Sequence, residues 1–270
     1  MADVAFGQYY PASSFTHKCD PRTKILFLIG FIVAIFLSGN FYALGVCALV
    51  FALVACCSKI PFKSLLKSVK AVLVLLIFTA ILNLFFQKEG EIIFEWNFIK
   101  LTKEGLYATA FLAVRLFLLV LASSLLTLTT TPVSLTDGLE SLLTPLKWIK
   151  FPVHELALVM SIALRFIPIL TDETSRIMNA QKARGADFEN GKLTERVKAV
   201  VPILIPLLVS AFRRADELGD AMDARCYSGS TNRTKYKKLT FTWRDLVACL
   251  LLIALIVGVV LLQSYFPAVI

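Results

Sequence analysis

An all-α polytopic membrane protein with about five spanning helices follows from three features of the 270-residue chain. Hydrophobic residues make up 57% of it and charged residues only 17%, against roughly 45–50% and 25% in soluble domains. The mean hydropathy is +0.75. Long apolar runs alternate with short stretches crowded with lysine and arginine, and the net charge is +9. No aromatic-rich basic module accompanies that charge, so it reads as the cationic bias of cytoplasmic loops and not as a nucleic-acid surface.

In chain order, the N-terminus carries Asp3 and no basic region ahead of an apolar core, so no cleavable signal peptide is expected. Pro21 suits the first position of a helix. Ile25–Leu37 and Phe41–Cys57 form two apolar arms around the turn residues Ser38, Gly39 and Asn40. The first arm is short for a hydrocarbon core about 30 Å thick. Ser58–Lys70 holds Lys59, Lys63, Lys67 and Lys70 and no acid, which marks the cytoplasmic side; the last three share one helical face, as an interfacial helix would arrange them. Ala71–Phe86 is the third span. The stretch from Gln87 to Gly105, with Glu89, Glu91, Glu95 and Glu104, reads as an external loop. Leu106–Leu128 is the fourth span, and Arg115 in its middle is expected to face the bundle or a partner, because an unpaired charge in hydrocarbon is costly; structural pairing is favoured over a direct substrate role. Residues 1–129 are thus a domain of about four membrane helices with a cytoplasmic N-terminus.

Residues 130–244 differ, since their apolar stretches are interrupted. Ser134 or Thr136 can cap an amphipathic helix through Leu146. Val153–Leu170 contains Glu155 and Arg165, and Ala199–Phe212 contains Pro202 and Pro206. Two endings repeat: AQKARGAD from Ala180 and AMDARCYS from Ala221, both A-x-x-A-R. They close helix-compatible runs, Pro168–Arg184 and Pro206–Arg225. A helix C-terminus favours a cation, and Gly185 suits a left-handed cap. Cys226 is the odd residue. A left-handed cysteine costs roughly 1–2 kcal/mol, so the second helix is expected to run past Arg225 and end near Gly229 between Ser228 and Ser230, making the two ends inequivalent. If both ends serve one purpose they emerge on one side, which excludes Val153–Leu170 as a lone crossing. Residues 245–270 supply the last span, Leu246–Phe266, with Pro267–Ile270 outside.

Chemistry on this chain is expected to be absent. Gly185–Leu193 looks like a phosphate loop, but Walker A needs four residues between its glycines and Ser or Thr after the lysine, and Leu193 fails that test. There is no zinc-protease, nucleophile-elbow or EF-hand pattern. The six cysteines show no C-x-x-C spacing and the histidines are two, His17 and His154, so no catalytic residue, cofactor or metal site is expected.

The four-span N-terminal half, the run SIALRFIPIL from Ser161, AQKARGAD, AMDARCYS and the C-terminal span together resemble the transmembrane T component of energy-coupling factor transporters. The resemblance covers nearly the whole chain. It implies a scaffold of a vitamin-type importer in the bacterial plasma membrane, with coupling helices that cross in an X beneath the membrane on the cytoplasmic side. It implies docking of Ala183, Arg184 and Gly185 on one ATP-binding-cassette subunit and of Ala224, Arg225 and Cys226 on a second. ATP and magnesium would then be bound by those partners, and the substrate by a small S component. Cys226 departs from the family pattern, where glycine or another small residue is usual. Two other readings are a T subunit dedicated to cobalt or nickel, and a channel or secondary carrier acting alone.

Overall fold

The computed structural model describes residues 9–86, 92–96, 99–149, 151–186, 193–227, 229 and 239–265. Asp3, Glu89, Glu91, residues 187–192, Ser228, Ser230 and the tail Pro267–Ile270, on which expectations were placed, lie outside that set. The fold is all-α and polytopic: α1 (Pro21–Leu37), α2 (Phe41–Ser58), α3 (Phe62–Phe86), α4 (Lys103–Thr129), α5 (Pro132–Leu143), α6 (Val153–Ala183), α7 (Leu193–Asp223) and α8 (Trp243–Tyr265). One feature departs from pure helix. Strands β1 (Ile92–Trp96) and β2 (Ile99–Thr102) pair antiparallel between α3 and α4, with Ile92 opposite Thr102 and Trp96 opposite Ile99 and a register shift between positions 92 and 94. The sequence reading had a plain loop there.

The chain divides into two compact units, Met1–Leu142 with Lys238–Ile270, and Leu143–Lys237. In the first, α1, α2, α4 and α8 share a core built around Phe31, Ile35, Leu44, Phe111, Leu118 and Val259. Helix α1 starts where its chemistry dictates: Asp20 accepts from the Arg22 backbone N–H as N-cap, and Pro21 follows. Its 17 residues rise only about 26 Å. Yet Leu26, Ile29, Val33 and Phe36 are exposed along one side of it, a stripe that lipid would cover. Gly30 lets α8 approach, since a Cβ there would lie 2.8 Å from Leu252 Cδ2.

Arg115 faces protein, although its Nε is buried without a hydrogen-bond partner among the described residues. Its Nη2 donates to the Ser38 carbonyl in the α1–α2 turn, and its guanidinium carbon lies 4.7 Å from the Phe111 ring centroid. The α4 helix begins at an N-cap, Thr102, whose hydroxyl accepts from Gly105 N.

Three boundaries move from expectation. Helix α5 begins at Pro132, ahead of Ser134 and Thr136, because Thr131 Oγ1 accepts from Ser134 N and proline occupies the first helical position. It stops at Leu143, and Thr144–Ile149 continues as a 3-10 helix. Helix α3 absorbs the lysine-rich stretch, bending by 58° between Phe62–Lys70 and Val72–Asn83. Helices α6 and α7 run through Pro168, Pro202 and Pro206, each 31 residues long. A proline interior to a helix forfeits one backbone bond at a cost of ~3 kcal/mol, and these amphipathic helices recover it by packing on each other.

By length and apolarity the helices able to cross a membrane, among the described residues, are α2, α4, α6 and α8, with the bent α3 as a fifth. The count agrees with about five, but it includes α6 and omits α1. Packing separates these two cases: α1 is integral to the apolar bundle, whereas α6 carries Asp172, Glu173, Arg176 and Lys182 in its second half.

Candidate functional site

Helices α6 and α7 form the second unit and pack antiparallel. Glu173 takes Ser210 and Arg214 as partners, with Ser210 Oγ donating to Oε1 at 2.6 Å and Arg214 Nη2 donating to Oε2 at 2.6 Å. The other residues walling the shared cleft are Ile162, Phe166 and Leu170, all before Glu173, and Ala211 to Met222, all after Ser210. Only opposed directions bring those sets together.

Glu173 and Arg214 are 41 residues apart, the same offset that separates Ala183 from Ala224 and Arg184 from Arg225. Corresponding positions of the two helices therefore meet at the contact, which is what a local two-fold axis produces. From Glu173 to Arg184, and from Arg214 to Arg225, eleven steps of 1.5 Å span roughly 16 Å. The two arginines thus lie equally far from the contact, in opposite directions along the pair.

Each end closes in the same way. At the first, Gly185 N donates to Lys182 O at 3.0 Å and Ala186 N to Gln181 O at 3.0 Å. At the second, Cys226 N donates to Asp223 O at 2.9 Å and Tyr227 N to Met222 O at 3.1 Å. These paired bonds make a Schellman cap, whose penultimate residue is left-handed. Gly185 has φ +88° and Cys226 φ +57°. All six motif residues, Ala183, Arg184, Gly185, Ala224, Arg225 and Cys226, are exposed, while Gln181, Ala186, Met222 and Tyr227, which carry the outer bond of each cap, are half-buried.

The expectation that Cys226 avoids the left-handed region is therefore wrong. Helix α7 ends at Asp223 and does not run on to Gly229. Two cap bonds, each contributing about 0.5–1.5 kcal/mol net, offset the roughly 1–2 kcal/mol that a left-handed cysteine costs. The two ends are equivalent, contrary to the sequence reading.

Sequence reasoning found the arginines and missed the contact that spaces them. Its signal was present in the 41-residue offset, which extends inward to Glu173 and Arg214. Glu173 and Arg214 sit on helix faces with ordinary charge spacing, so only the repeat singles them out.

A family model described as "Cobalt transport protein" (CbiQ) matches residues 12–236. Among curated relatives, the energy-coupling factor transporter transmembrane protein EcfT of Ruminiclostridium cellulolyticum is 47% identical over 266 residues, covering 98% of this chain and 99% of its own. Its namesake from Brevibacillus brevis is 48% identical over 259 residues (95% and 97%), and that from Bacillus subtilis 47% over 255 residues (94% and 96%).

Proposed function

We propose that this chain, which belongs to the CbiQ family and is the transmembrane component of an energy-coupling factor transporter, couples two ATPase subunits to substrate uptake through its two arginine-capped helix ends. Ala183–Arg184–Gly185 docks on one ATP-binding-cassette subunit and Ala224–Arg225–Cys226 on the other. The observation that carries this reading is the pair of matching Schellman caps, both exposed and both about 16 Å from the Glu173–Arg214 contact. Two equivalent ends facing apart suit two separate, equivalent partners.

The chemistry at each end fits that role. A small alanine lets a partner backbone come close, and a guanidinium makes forked, charge-assisted bonds to a carboxylate. ATP and magnesium belong to the partners, so ATP hydrolysis happens on them and not on this chain. When they close on ATP, they draw the ends of α6 and α7. The exposed apolar residues Leu156, Val159, Met160, Ile205, Val209 and Phe212 of these helices offer a surface for an S component that carries a vitamin-type substrate. For both ends to meet cytoplasmic ATPases, the antiparallel pair lies along the membrane. An upright pair would put Arg184 and Arg225 on opposite faces of the bilayer.

Losing one member of such a desolvated interfacial charge pair costs about 2–5 kcal/mol. The double variant Arg184→Glu with Arg225→Glu is expected to lose the ATPases in pull-downs from membranes while keeping the S component. ATPases retained in that variant at wild-type salt resistance would mean that the arginines only cap helices.

A further inference from the structure

A cavity of about 180 Å³ lies inside the first unit, where α1 and α8 begin and α2 and α4 finish. Its walls are almost wholly apolar, from Phe27 and Phe31 of α1, Phe51 and Val54 of α2, Leu125 of α4 and Leu251 of α8. The hydroxyl and charged groups in its lining are Thr16, Thr23, Lys24 and Thr129, from the start of α1 with the turn before it and the end of α4. Leu53 and Cys57, both exposed on α2, also line it, so it reaches the outer surface of a helix apolar enough to span.

Lys24 is the charged group of that lining. Its ammonium donates to the His17 carbonyl at 3.2 Å and to the Thr129 carbonyl at 3.1 Å. An ammonium has three N–H groups, so among the described residues one is left to point elsewhere. Two buried carboxylates, Asp20 and Asp245, act on its charge through space, Asp20 being also 3.9 Å from Arg22 Nε, and neither takes its third N–H. Asp245 accepts from Asp20 N and Thr242 N, and Asp20 Oδ1 accepts from Arg22 N. His17 adds no cation, because burial holds its imidazole below the usual histidine range. Its Nε2 lies 3.0 Å from the Tyr10 carbonyl and so carries the proton, while Nδ1 accepts from Ser14 Oγ at 2.6 Å.

We infer that this cavity holds the head-proximal part of one acyl chain of an anionic phospholipid, with the headgroup phosphate at Lys24. Apolar walls, an ammonium with an unused N–H and exposed residues of a spanning helix in the lining match a lipid tail whose head sits at the membrane surface. The site is independent of the ATPase contacts and goes beyond the coupling function.

Photolabelling tests it, using the full-length protein in lipid nanodiscs. The probe is phosphatidylglycerol with a diazirine in one acyl chain, and its phosphatidylcholine counterpart is the control. The glycerol probe should label interior residues such as Phe31 and Phe51 as well as Ile29 on the outer face of α1. Leu126→Trp, which fills the cavity and spares its polar groups, should abolish interior labelling and leave Ile29 labelled. Lys24→Gln should reduce interior labelling by the glycerol probe several-fold, with Lys24→Arg restoring it. Equal interior labelling by both probes, unchanged in Lys24→Gln, would overturn the proposal. So would interior labelling that appears only after deletion of residues 1–8, since the chain's own N-terminus would then be the occupant.

Discussion

Cys226 sits at φ +57°, in a conformation that glycine holds at the matching position of the other helix end. The strain is local, because its amide and that of Tyr227 are both bonded into the cap. Volume and backbone freedom, not the thiol, then decide what is tolerated. Cys226→Gly should keep uptake and slow hydrogen exchange of the Tyr227 amide, the net gain being less than about 1 kcal/mol because glycine also loosens the unfolded chain. Cys226→Ser should leave uptake unchanged. Cys226→Val, with a branched β-carbon where positive φ is least tolerated, should speed Tyr227 exchange several-fold and weaken ATPase retention. Loss of uptake in the serine variant, with the complex still assembled, would show that the thiol matters. This residue also marks the limit of reading position by position. The A-x-x-A-R repeat and the Gly185 cap were legible in residue types, but the two hydrogen bonds that hold Cys226 left-handed depend on the whole turn.

At the scale of elements, most helices could be read from apolar runs and their punctuation. Asp20 and Pro21 set the start of α1, and Ser38 to Asn40 set the turn before α2. What could not be read was continuity. Sequence preference ends a helix at proline, whereas α6 and α7 pass through three of them because their long faces pack together. Helix α3 shows the same effect, joining an expected loop to a span across a 58° bend. Its first half is striped: Leu65 and Val69 are buried, Phe62 and Leu66 are exposed beside them, and Lys63, Lys67 and Lys70 are exposed beyond. That order suits a segment lying at the bilayer surface, with the aromatic and leucine dipping in and the lysines at the headgroups. Replacing all three lysines by glutamate should cut membrane-inserted protein several-fold, measured as the carbonate-resistant fraction. The Lys63→Arg, Lys67→Arg, Lys70→Arg triple variant should match wild type. Full insertion of the glutamate variant would place this stretch away from the headgroups.

For the whole molecule, composition announced a membrane protein and the paired endings announced its family, but the relation between those endings needed three dimensions. Two helices of equal length, opposed in direction, meet at Glu173 and Arg214 and present arginines at equal reach. The central claim is that each arginine end holds its own ATPase. Lys182 and Asp223 occupy the same place in the two caps, each accepting the inner cap bond through its carbonyl, and both side chains are exposed. A photo-crosslinking amino acid placed at both positions of one chain, in the intact complex in native membranes, tests the claim directly. The account predicts a single product that contains this chain and two ATPase subunits, one attached at each site. Crosslinks from either site that reach only lipid or the S component would contradict it.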